Sequence, residues 1–261
     1  MGGVGEQMIS LKSQRELETM DKANRLVHRV LRAVEGAAGP GVSTGEVDKL
    51  AEEMIRAEGG TPAFKGYRGF PATLCTSIND VIVHGIPNGK HRFKDGDLVS
   101  VDCGVLLDGF YGDAAVTFGI GALSEEAQSL METTRLCLED AVSAVRPDGR
   151  LGDLGAAVQQ RAEAAGYGVV REFVGHGIGR SLHEEPQVPN YGKPGHGQRL
   201  KPGLVIAIEP MITGGSWRVQ IDDDGWTART EDGRLAAHFE CSVAVTSDGH
   251  RVLGSEEFIH A

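Results

Sequence analysis

Four acidic residues and one histidine carry the clearest chemical signal in this sequence of 261 residues. They are Asp102, Asp113, His176, Glu209 and Glu240, and each lies in a segment with the pattern of a β-strand or of a strand end bounded by glycine. Carboxylate oxygens and imidazole nitrogens are ligands for divalent cations, and a set without thiolate suits Mn, Fe, Co or Zn without selecting among them. Together these side chains could hold two cations.

The first two acids lie in a predicted β-hairpin. Residues 98–118 alternate in polarity until they reach Asp108-Gly109, a dipeptide that favours a two-residue hairpin turn. With that turn, Asp113 faces Gly104, and Asp102 becomes its diagonal neighbour on the same face. Diagonal Cβ atoms are about 7–8 Å apart, a separation from which two carboxylates can converge on cations about 3.5–4 Å apart. We also expect Gly104 to leave space for whatever the acids hold.

The two glutamates lie in segments with different patterns. Glu209 follows the apolar run 204–208, which predicts a strand buried on both faces, and Pro210 ends that strand because it has no N–H for the ladder. Glu240 falls on the polar face of the alternating segment 237–245, so that by itself it would be a surface residue. Only the other acids argue for a functional Glu240.

Three histidines are further candidates because glycine or an acid follows each of them. His176 lies between glycines, which let the backbone approach a ligand closely. His183 comes seven residues later and precedes Glu184, while His84 precedes Gly85. A single histidine is more often a structural residue than a ligand. These histidines are therefore suggestive and do not decide the function by themselves.

Composition argues against several classes of protein. Lys and Arg number 26 against 37 Asp and Glu, and the net charge of −11 is spread without a basic run that would follow nucleic acid. No segment approaches the roughly 18 apolar residues of a membrane span, and the N-terminus lacks the apolar core of an export signal. Four cysteines without a CxxC pair fit a reducing compartment. We expect a cytoplasmic protein with neither a nucleic-acid nor a membrane partner.

A faint internal repeat predicts the architecture. An offset of 107 residues aligns Pro40 with Pro147, and each half reads as helix, turn, helix and then strands. Ser43 and Glu46 form a capping box for a helix that ends near Glu58. The second half has helices from after Ser124 to about 146 and from about 153 to 165. We predict one α+β domain over residues 1–261, with pseudo-two-fold symmetry, one antiparallel sheet, helices on its outer face and the ligand strands on its concave side.

Several short motifs follow one another in a defined order along the chain. They are Gly69-Phe70-Pro71 with Cys75, Ser77-Ile78-Asn79 leading to His84-Gly85-Ile86-Pro87, Asp102-Cys103-Gly104 with Gly112-Asp113, Gly175-His176-Gly177-Ile178-Gly179 with His183, Ile208-Glu209-Pro210, and His238-Phe239-Glu240. In this order they resemble the motifs of a type I methionine aminopeptidase of the bacterial kind, which has the pita-bread fold. The resemblance covers nearly the whole chain, from about residue 10 to 257. The interval between Glu209 and Glu240 leaves no room for the insertion of type II enzymes.

The resemblance implies removal of the initiator methionine from nascent chains and peptides whose second residue is small and uncharged. It implies two divalent cations, with Asp102 on one, His176 on the other, and Asp113 and Glu240 bridging. A hydroxide shared by the cations would be the nucleophile, and Glu209, also a ligand, would be the general base and acid.

The resemblance also assigns the substrate site. His183 would donate a hydrogen bond to the developing oxyanion, and His84 would contact the scissile amide or the substrate backbone. Phe64 and Leu182 depart from residues common in the family, which changes the expected shape of the pocket. The residues implied for the methionine pocket are Tyr67, Phe70, Cys75 and Trp226.

Two other functions remain open on the sequence alone. A prolidase or aminopeptidase P shares the fold and the ligands but usually carries an additional N-terminal domain, for which the 101 residues before Asp102 leave no room. A metal-free binding protein of the same fold would have lost ligands, whereas all five are present here. For the favoured enzyme we expect a monomer that acts on peptides with N-terminal methionine and is transiently close to the ribosome.

Overall fold

Three of the helices in the described residues begin at a serine N-cap, at Ser13, Ser43 and Ser124. The computed structural model describes residues 9–254. Ser43 and Glu46 make both hydrogen bonds of the predicted capping box, and Ser13 and Glu16 form a second box. The predicted helix after Ser124 is confirmed. In the described residues the α-helices are α1 (Gln14–Ala37), α2 (Thr44–Ala57), α3 (Glu125–Ser143) and α4 (Leu151–Ala164).

The strands are mostly short, and only the central hairpin has long ones. A 3-10 turn at Tyr67–Gly69 interrupts the chain before the second strand. In chain order the strands are β1 (Thr61–Pro62), β2 (Leu74–Ile78), β3 (Val81–Val83), β4 (Leu98–Leu107), β5 (Phe110–Gly119), β6 (Gly168–Val169), β7 (Gly175–Gly177), β8 (Glu184–Val188), β9 (Val205–Ile208), β10 (Met211–Thr213), β11 (Val219–Ile221), β12 (Ala228–Thr230), β13 (Ala236–His238), β14 (Cys241–Val245) and β15 (His250–Val252).

The hairpin formed by β4 and β5 has the predicted register. Asp113 pairs with Gly104, and Asp102 pairs with Ala115. Asp108 and Gly109 both have positive φ, as a tight hairpin turn requires. Local turn chemistry therefore determines where the first two acids lie.

Each half of the chain packs two helices on its own strands. The first core joins side chains of α1 and α2 to the β4–β5 hairpin, with Val27, Val47 and Val101 among them. The second core joins α3 and α4 to strands of the second half. This division agrees with the predicted two-fold repeat. No helix in the described part of the chain is long and apolar enough to cross a bilayer.

The strands do not form one continuous sheet. The described strands divide into four antiparallel sheets, with β4 and β5 in one of four strands and β7, β9 and β14 in one of five. A single bridge between Ala115 and Glu240 connects these two sheets. Its backbone hydrogen bonds run from Glu240 N to Ala115 O at 2.9 Å and back at 3.2 Å. The two halves therefore meet where an expected ligand lies.

Residues 237–245 differ from the single half-exposed strand that their alternation predicts. The segment divides into β13, which pairs with β10, and β14, which pairs with β9. Its polar face is buried, because His238 and Glu240 are each 2% exposed and Ser242 is fully buried. An alternating pattern distinguishes two faces of a strand, but it cannot show that the polar face packs on another sheet.

A close contact between α1 and β5 yields a stability prediction. A Cβ atom at Gly112 would lie 2.7 Å from Asn24 N and 2.8 Å from Ala23 C, which are backbone atoms of α1. Gly112→Ala should therefore force the helix and strand apart and cost about 1–3 kcal/mol of unfolding free energy. Gly89 has nothing within 4 Å of its Cβ position and provides the control as Gly89→Ala. Denaturant melts of both variants that coincide would contradict this packing.

Candidate metal centre and substrate cavity

All five expected ligands line one cavity of about 280 Å³. Different elements supply them, so only folding brings them together. Asp102 and Asp113 come from neighbouring strands β4 and β5, His176 from the centre of β7, Glu209 from the end of β9, and Glu240 from the bridge before β14.

The imidazole of His176 faces the acids. Its Nε2 lies 3.8 Å from Asp113 Oδ2 and 3.6 Å from Glu209 Oε1. Its Nδ1 lies 2.9 Å from the carbonyl oxygen of Gly177, which assigns the ring proton to Nδ1 and leaves the Nε2 lone pair for the cavity. Asp113, His176 and Glu240 each offer a ligand atom, and these atoms all lie within 4.8 Å of one another.

Several buried oxygens in this cluster have no hydrogen-bond partner among the described residues. They are Asp102 Oδ1, Asp113 Oδ1 and Glu240 Oε1. A buried carboxylate oxygen without a donor is costly, whereas a bound cation would satisfy it. The donor set and these free oxygens therefore fit divalent metal ions.

The buried acids of this cluster repel one another when ionised, which favours binding of protons or cations to their carboxylates. Burial raises the pKa of Asp102 to about 7. Burial, followed by the charges of Glu240 and Asp102, raises the pKa of Asp113 well above its usual value. Burial and neighbouring carboxylates likewise raise the pKa values of Glu209 and Glu240. So many negative charges cannot coexist in a buried site without compensation.

Apolar side chains form the other wall of the cavity. Phe70 packs edge-on against Trp226 with ring centroids 5.1 Å apart, and Cys75 is buried beside them. Leu182 is buried at 2% exposure. Phe64 fills the space at Gly104, because a Cβ there would lie 2.6 Å from Phe64 Cε1. The expectation that Gly104 leaves room for a ligand is therefore wrong, since an aromatic ring occupies that room.

The two further histidines also face the cavity. His183 Nδ1 lies 2.8 Å from the Tyr67 hydroxyl, and its ring centroid is 4.3 Å from that of His176. His84 has a φ of 61° directly after β3, and its ring lies edge-on to Phe173 at 5.1 Å. Burial lowers the pKa of His84 to about 4, so this ring is neutral at pH 7.

Three further residues lie near the site. Arg68 and Phe173 line the cavity, and His238 Nε2 lies 4.0 Å from Glu209 Oε2. His238 belongs to a motif of the sequence analysis, but no role was predicted for it. Arg68 and Phe173 had no signal of their own, and only their proximity in sequence to Tyr67 and His176 could have suggested them.

A match to a known protein family identifies the family of this chain. The model of metallopeptidase family M24 matches residues 18–247, which is most of the chain. The chain belongs to metallopeptidase family M24. Family membership confirms that this is a hydrolase that uses divalent metal, as the ligand set predicted.

Relatives within the M24 family identify the branch. The chain is 49% identical over 246 residues to methionine aminopeptidase from Clostridium perfringens, covering 94% of this chain and 98% of that protein. It is 46% identical over 255 residues to methionine aminopeptidase 1 from Mycobacterium tuberculosis, covering 95% of this chain and 96% of the relative. The resemblance to bacterial type I methionine aminopeptidases is therefore confirmed.

Solved structures agree with this M24 assignment. The crystal structure of methionine aminopeptidase from Thermotoga maritima superposes with a TM-score of 0.94 at 44% identity, covering 95% of this chain and all of that one. Prolidase from Pyrococcus furiosus gives a TM-score of 0.76 at 24% identity, covering 95% of this chain and 66% of the prolidase. The second likeness shows the fold alone. The predicted pita-bread fold is confirmed.

The raised carboxyl pKa values predict that metal binding releases protons. Ligands must be ionised, so affinity should rise as pH increases through about 7, the pKa of Asp102. Without metal, Asp102 keeps its proton to higher pH in the folded than in the unfolded state, so its contribution to stability is fully present below about pH 4 and is lost as the pH rises from about 4 to about 7. The increase in melting temperature caused by MnCl2 should therefore be larger at pH 8 than at pH 5.5.

Asp113→Asn provides the control for this prediction, because it keeps the side-chain volume and removes a charge from the centre of the cluster. Its metal-induced shift should be small at both pH values. Equal shifts for the unmodified protein at pH 5.5 and pH 8 would show that protons do not compete with the metal.

Proposed function

We propose that this protein is a methionyl aminopeptidase that removes N-terminal methionine from peptides and nascent chains whose second residue is small and uncharged. The observation that carries the proposal is the convergence of Asp113, His176 and Glu240 within 4.8 Å at one wall of a cavity whose other wall is apolar. Two relatives with 49% and 46% identity, aligned over 98% and 96% of their own length, are methionine aminopeptidases.

The proposed site holds two divalent cations, which are Mn, Fe, Co or Zn. Asp102, Asp113, His176, Glu209 and Glu240 are the residues that would hold them. The unpartnered carboxylate oxygens support this assignment. When bound, the cations lower the pKa of a water molecule and polarise the scissile carbonyl.

Glu209 is the proposed general base and acid. It takes a proton from the attacking water and gives it to the leaving amine. Asn190 Nδ2 donates to the backbone oxygen of Glu209 at 2.9 Å and anchors the residue at the end of β9. The placement of its carboxylate against His176 and His238 restricts its orientation. A carboxylate so held can reach both the attacking and the departing group.

His183 and His84 bind the reacting part of the substrate in this proposal. If the Tyr67 hydroxyl donates to His183 Nδ1, then Nε2–H is left to donate to the carbonyl oxygen that becomes negative. Burial, followed by the charge of Arg68, lowers the pKa of His183, so a neutral donor is present at pH 7. His84 contacts the scissile amide or the substrate backbone.

The methionine pocket is formed by Tyr67, Phe70, Cys75 and Trp226, with Phe64 and Leu182 beside them. These six residues carry no charge and line the same cavity as the acids. An unbranched thioether side chain fits apolar and polarisable surface of this kind. Burial raises the pKa of the Cys75 thiol well above its usual value, so Cys75 acts here as an apolar wall residue.

The wider setting is also proposed. Residues 1–261 form a single catalytic domain that acts as a monomer in the cytoplasm, transiently near the ribosome, where its substrates emerge. The cysteines of the described residues are buried and free, which is consistent with a reducing compartment. The net charge of −11 disfavours a nucleic-acid partner.

Substrate cleavage tests the proposal directly. After reconstitution with divalent metal, the protein should release methionine from Met-Ala-Ser, and kcat/KM should be far lower for Lys-Ala-Ser and Met-Trp-Ser. Norleucyl-Ala-Ser should remain a usable substrate, because small changes in an apolar pocket are worth only about 1–3 kcal/mol. Formyl-Met-Ala-Ser, which lacks a free amine, should resist cleavage.

Each comparison has a result that would contradict part of the proposal. Efficient cleavage of Lys-Ala-Ser would overturn the pocket assignment, and efficient cleavage of Met-Trp-Ser would overturn the preference for a small second residue. Preference for an Xaa-Pro peptide over Met-Ala-Ser would identify a prolidase activity. Absence of metal binding would favour a metal-free binding protein.

His183 has a separate expected signature. His183→Ala should lower kcat by about 10²–10³-fold, because one donor to the oxyanion is lost, while metal stoichiometry stays at the unmodified value. Steady-state kinetics and metal analysis on the same preparation measure both quantities. Loss of one bound cation in this variant would show that His183 is a ligand and not a hydrogen-bond donor.

A further inference from the structure

A buried ion pair joins the segment before α1 to the loop that carries His183. Lys12 Nζ lies 2.5 Å from Glu184 Oε2, and the two side chains are only 3% and 15% exposed. We propose that Lys12 and Glu184 are positioning residues that hold His183 at the substrate. This inference rests on the proposed function, in which His183 contacts the reacting carbonyl.

The carboxylate of Glu184 accepts backbone hydrogen bonds from within its own loop, residues 180–184. Its Oε1 accepts hydrogen bonds from Arg180 N at 2.8 Å and from Ser181 N at 3.1 Å. Its Oε2 accepts a hydrogen bond from Lys12 Nζ. Glu184 directly follows His183 in the chain. Its side chain therefore holds the start of the loop, at Arg180 and Ser181, close to His183.

Lys12 is itself anchored at several points. Its backbone N donates to Gly203 O at 2.7 Å, and its Nζ donates to Ser10 O at 3.0 Å. Its side chain crosses the loop at Gly179, where a Cβ atom would lie 2.4 Å from Lys12 Cε. The lysine thus covers the loop as well as neutralising Glu184.

The ring of His183 lies beside the rings of Tyr67 and His176, and the backbone that carries it needs separate support. The residue is exposed, and its Nδ1 lies 2.8 Å from the Tyr67 hydroxyl. Glu184 pairs with Gly177 across a bulge that follows His176. Bulges redirect side chains, and here the bulge lies between the two histidines. Tyr67 orients the ring, whereas Glu184 and Lys12 hold the backbone from which it projects.

A stabilising role alone does not account for this pair. Taking two charges out of water is costly, and an apolar pair of similar volume is often as stable. An apolar residue at position 184, however, could not accept the N–H groups of Arg180 and Ser181. The charged pair provides a fixed loop geometry, which an oxyanion donor requires, since a displacement of about 1 Å can cost on the order of 10²-fold in rate.

The test compares Lys12→Met in two backgrounds. Lys12→Met retains an unbranched stem over Gly179 and removes the ammonium. With Met-Ala-Ser and saturating MnCl2, we expect about a tenfold lower kcat with KM and metal stoichiometry near the unmodified values. In the His183→Ala background, the same substitution should change kcat less than twofold, because the residue it positions is absent.

A second variant keeps the inference testable if Lys12→Met alone does not fold. Removing one partner of a buried pair leaves an uncompensated charge, whereas the double variant Lys12→Met with Glu184→Gln leaves none. It should show the same dependence on His183. Arg161→Met is the control, because it breaks the ion pair of Arg161 with Asp140 that connects α4 to α3. This control should leave kcat unchanged in both backgrounds.

Hydrogen exchange provides a readout that does not depend on turnover. The amides of residues 180–184 should exchange faster in Lys12→Met and in the double variant than in the unmodified protein, with or without MnCl2. The inference would be overturned if Lys12→Met lowered kcat by the same factor in the unmodified protein and in His183→Ala. Unchanged hydrogen exchange at residues 180–184 would also overturn it. If the unmodified protein fails to cleave Met-Ala-Ser, the proposed function falls, and exchange alone then decides whether the pair holds the loop.

Discussion

Mutual repulsion of buried carboxylates is the constraint on which the rest of this structure depends. Asp113 and Glu240 are nearly inaccessible to solvent, and burial, followed by the charges of neighbouring acids, raises the pKa of each. Such a cluster would separate if its backbones were free to move. Strand pairing prevents this, because Glu240 exchanges two backbone hydrogen bonds with Ala115, two residues after Asp113. The fold therefore holds a site that is electrostatically unfavourable until cations or protons occupy it.

Polar side chains reinforce this junction. Ser242 Oγ donates to the backbone oxygen of Asp113 at 3.0 Å, and Thr117 Oγ1 donates to that of His238 at 2.6 Å. Ser100 Oγ lies 2.8 Å from Thr117 Oγ1 and accepts from His238 N. These hydroxyls explain why the polar face of residues 237–245 is buried, since it is bonded to the hairpin of the first half.

The cavity has one polar wall and one apolar wall. The acids and His176 form one wall, and buried aromatic and aliphatic groups such as Phe70 and Leu182 form the other. His183 lies at the boundary, between Tyr67 and His176. A substrate can therefore bury an apolar side chain while its reacting amide stays close to the acids. The tight contact of Phe64 with Gly104 connects the two walls, because Gly104 lies between the hairpin acids.

Sequence alone determined the features that depend on neighbouring residues. Asp108-Gly109 determines the hairpin register and hence the relation of Asp102 to Asp113, and Ser43 begins α2 through its capping box. Motif order also led to the correct family and to five residues that line one cavity. The hairpin and the cap rest on local turn and capping chemistry, and the family rests on the resemblance of short motifs; a linear chain displays both directly.

Tertiary structure decided what depends on distant parts of the chain. It buried Glu240, placed His238 beside Glu209, filled the space at Gly104 with Phe64, and divided one expected sheet into four. It also paired Lys12 with Glu184, which is 172 residues away. Contacts of this kind leave no periodic trace in a sequence, because the energy of burying a charge or packing a ring depends on partners that only the folded chain brings together.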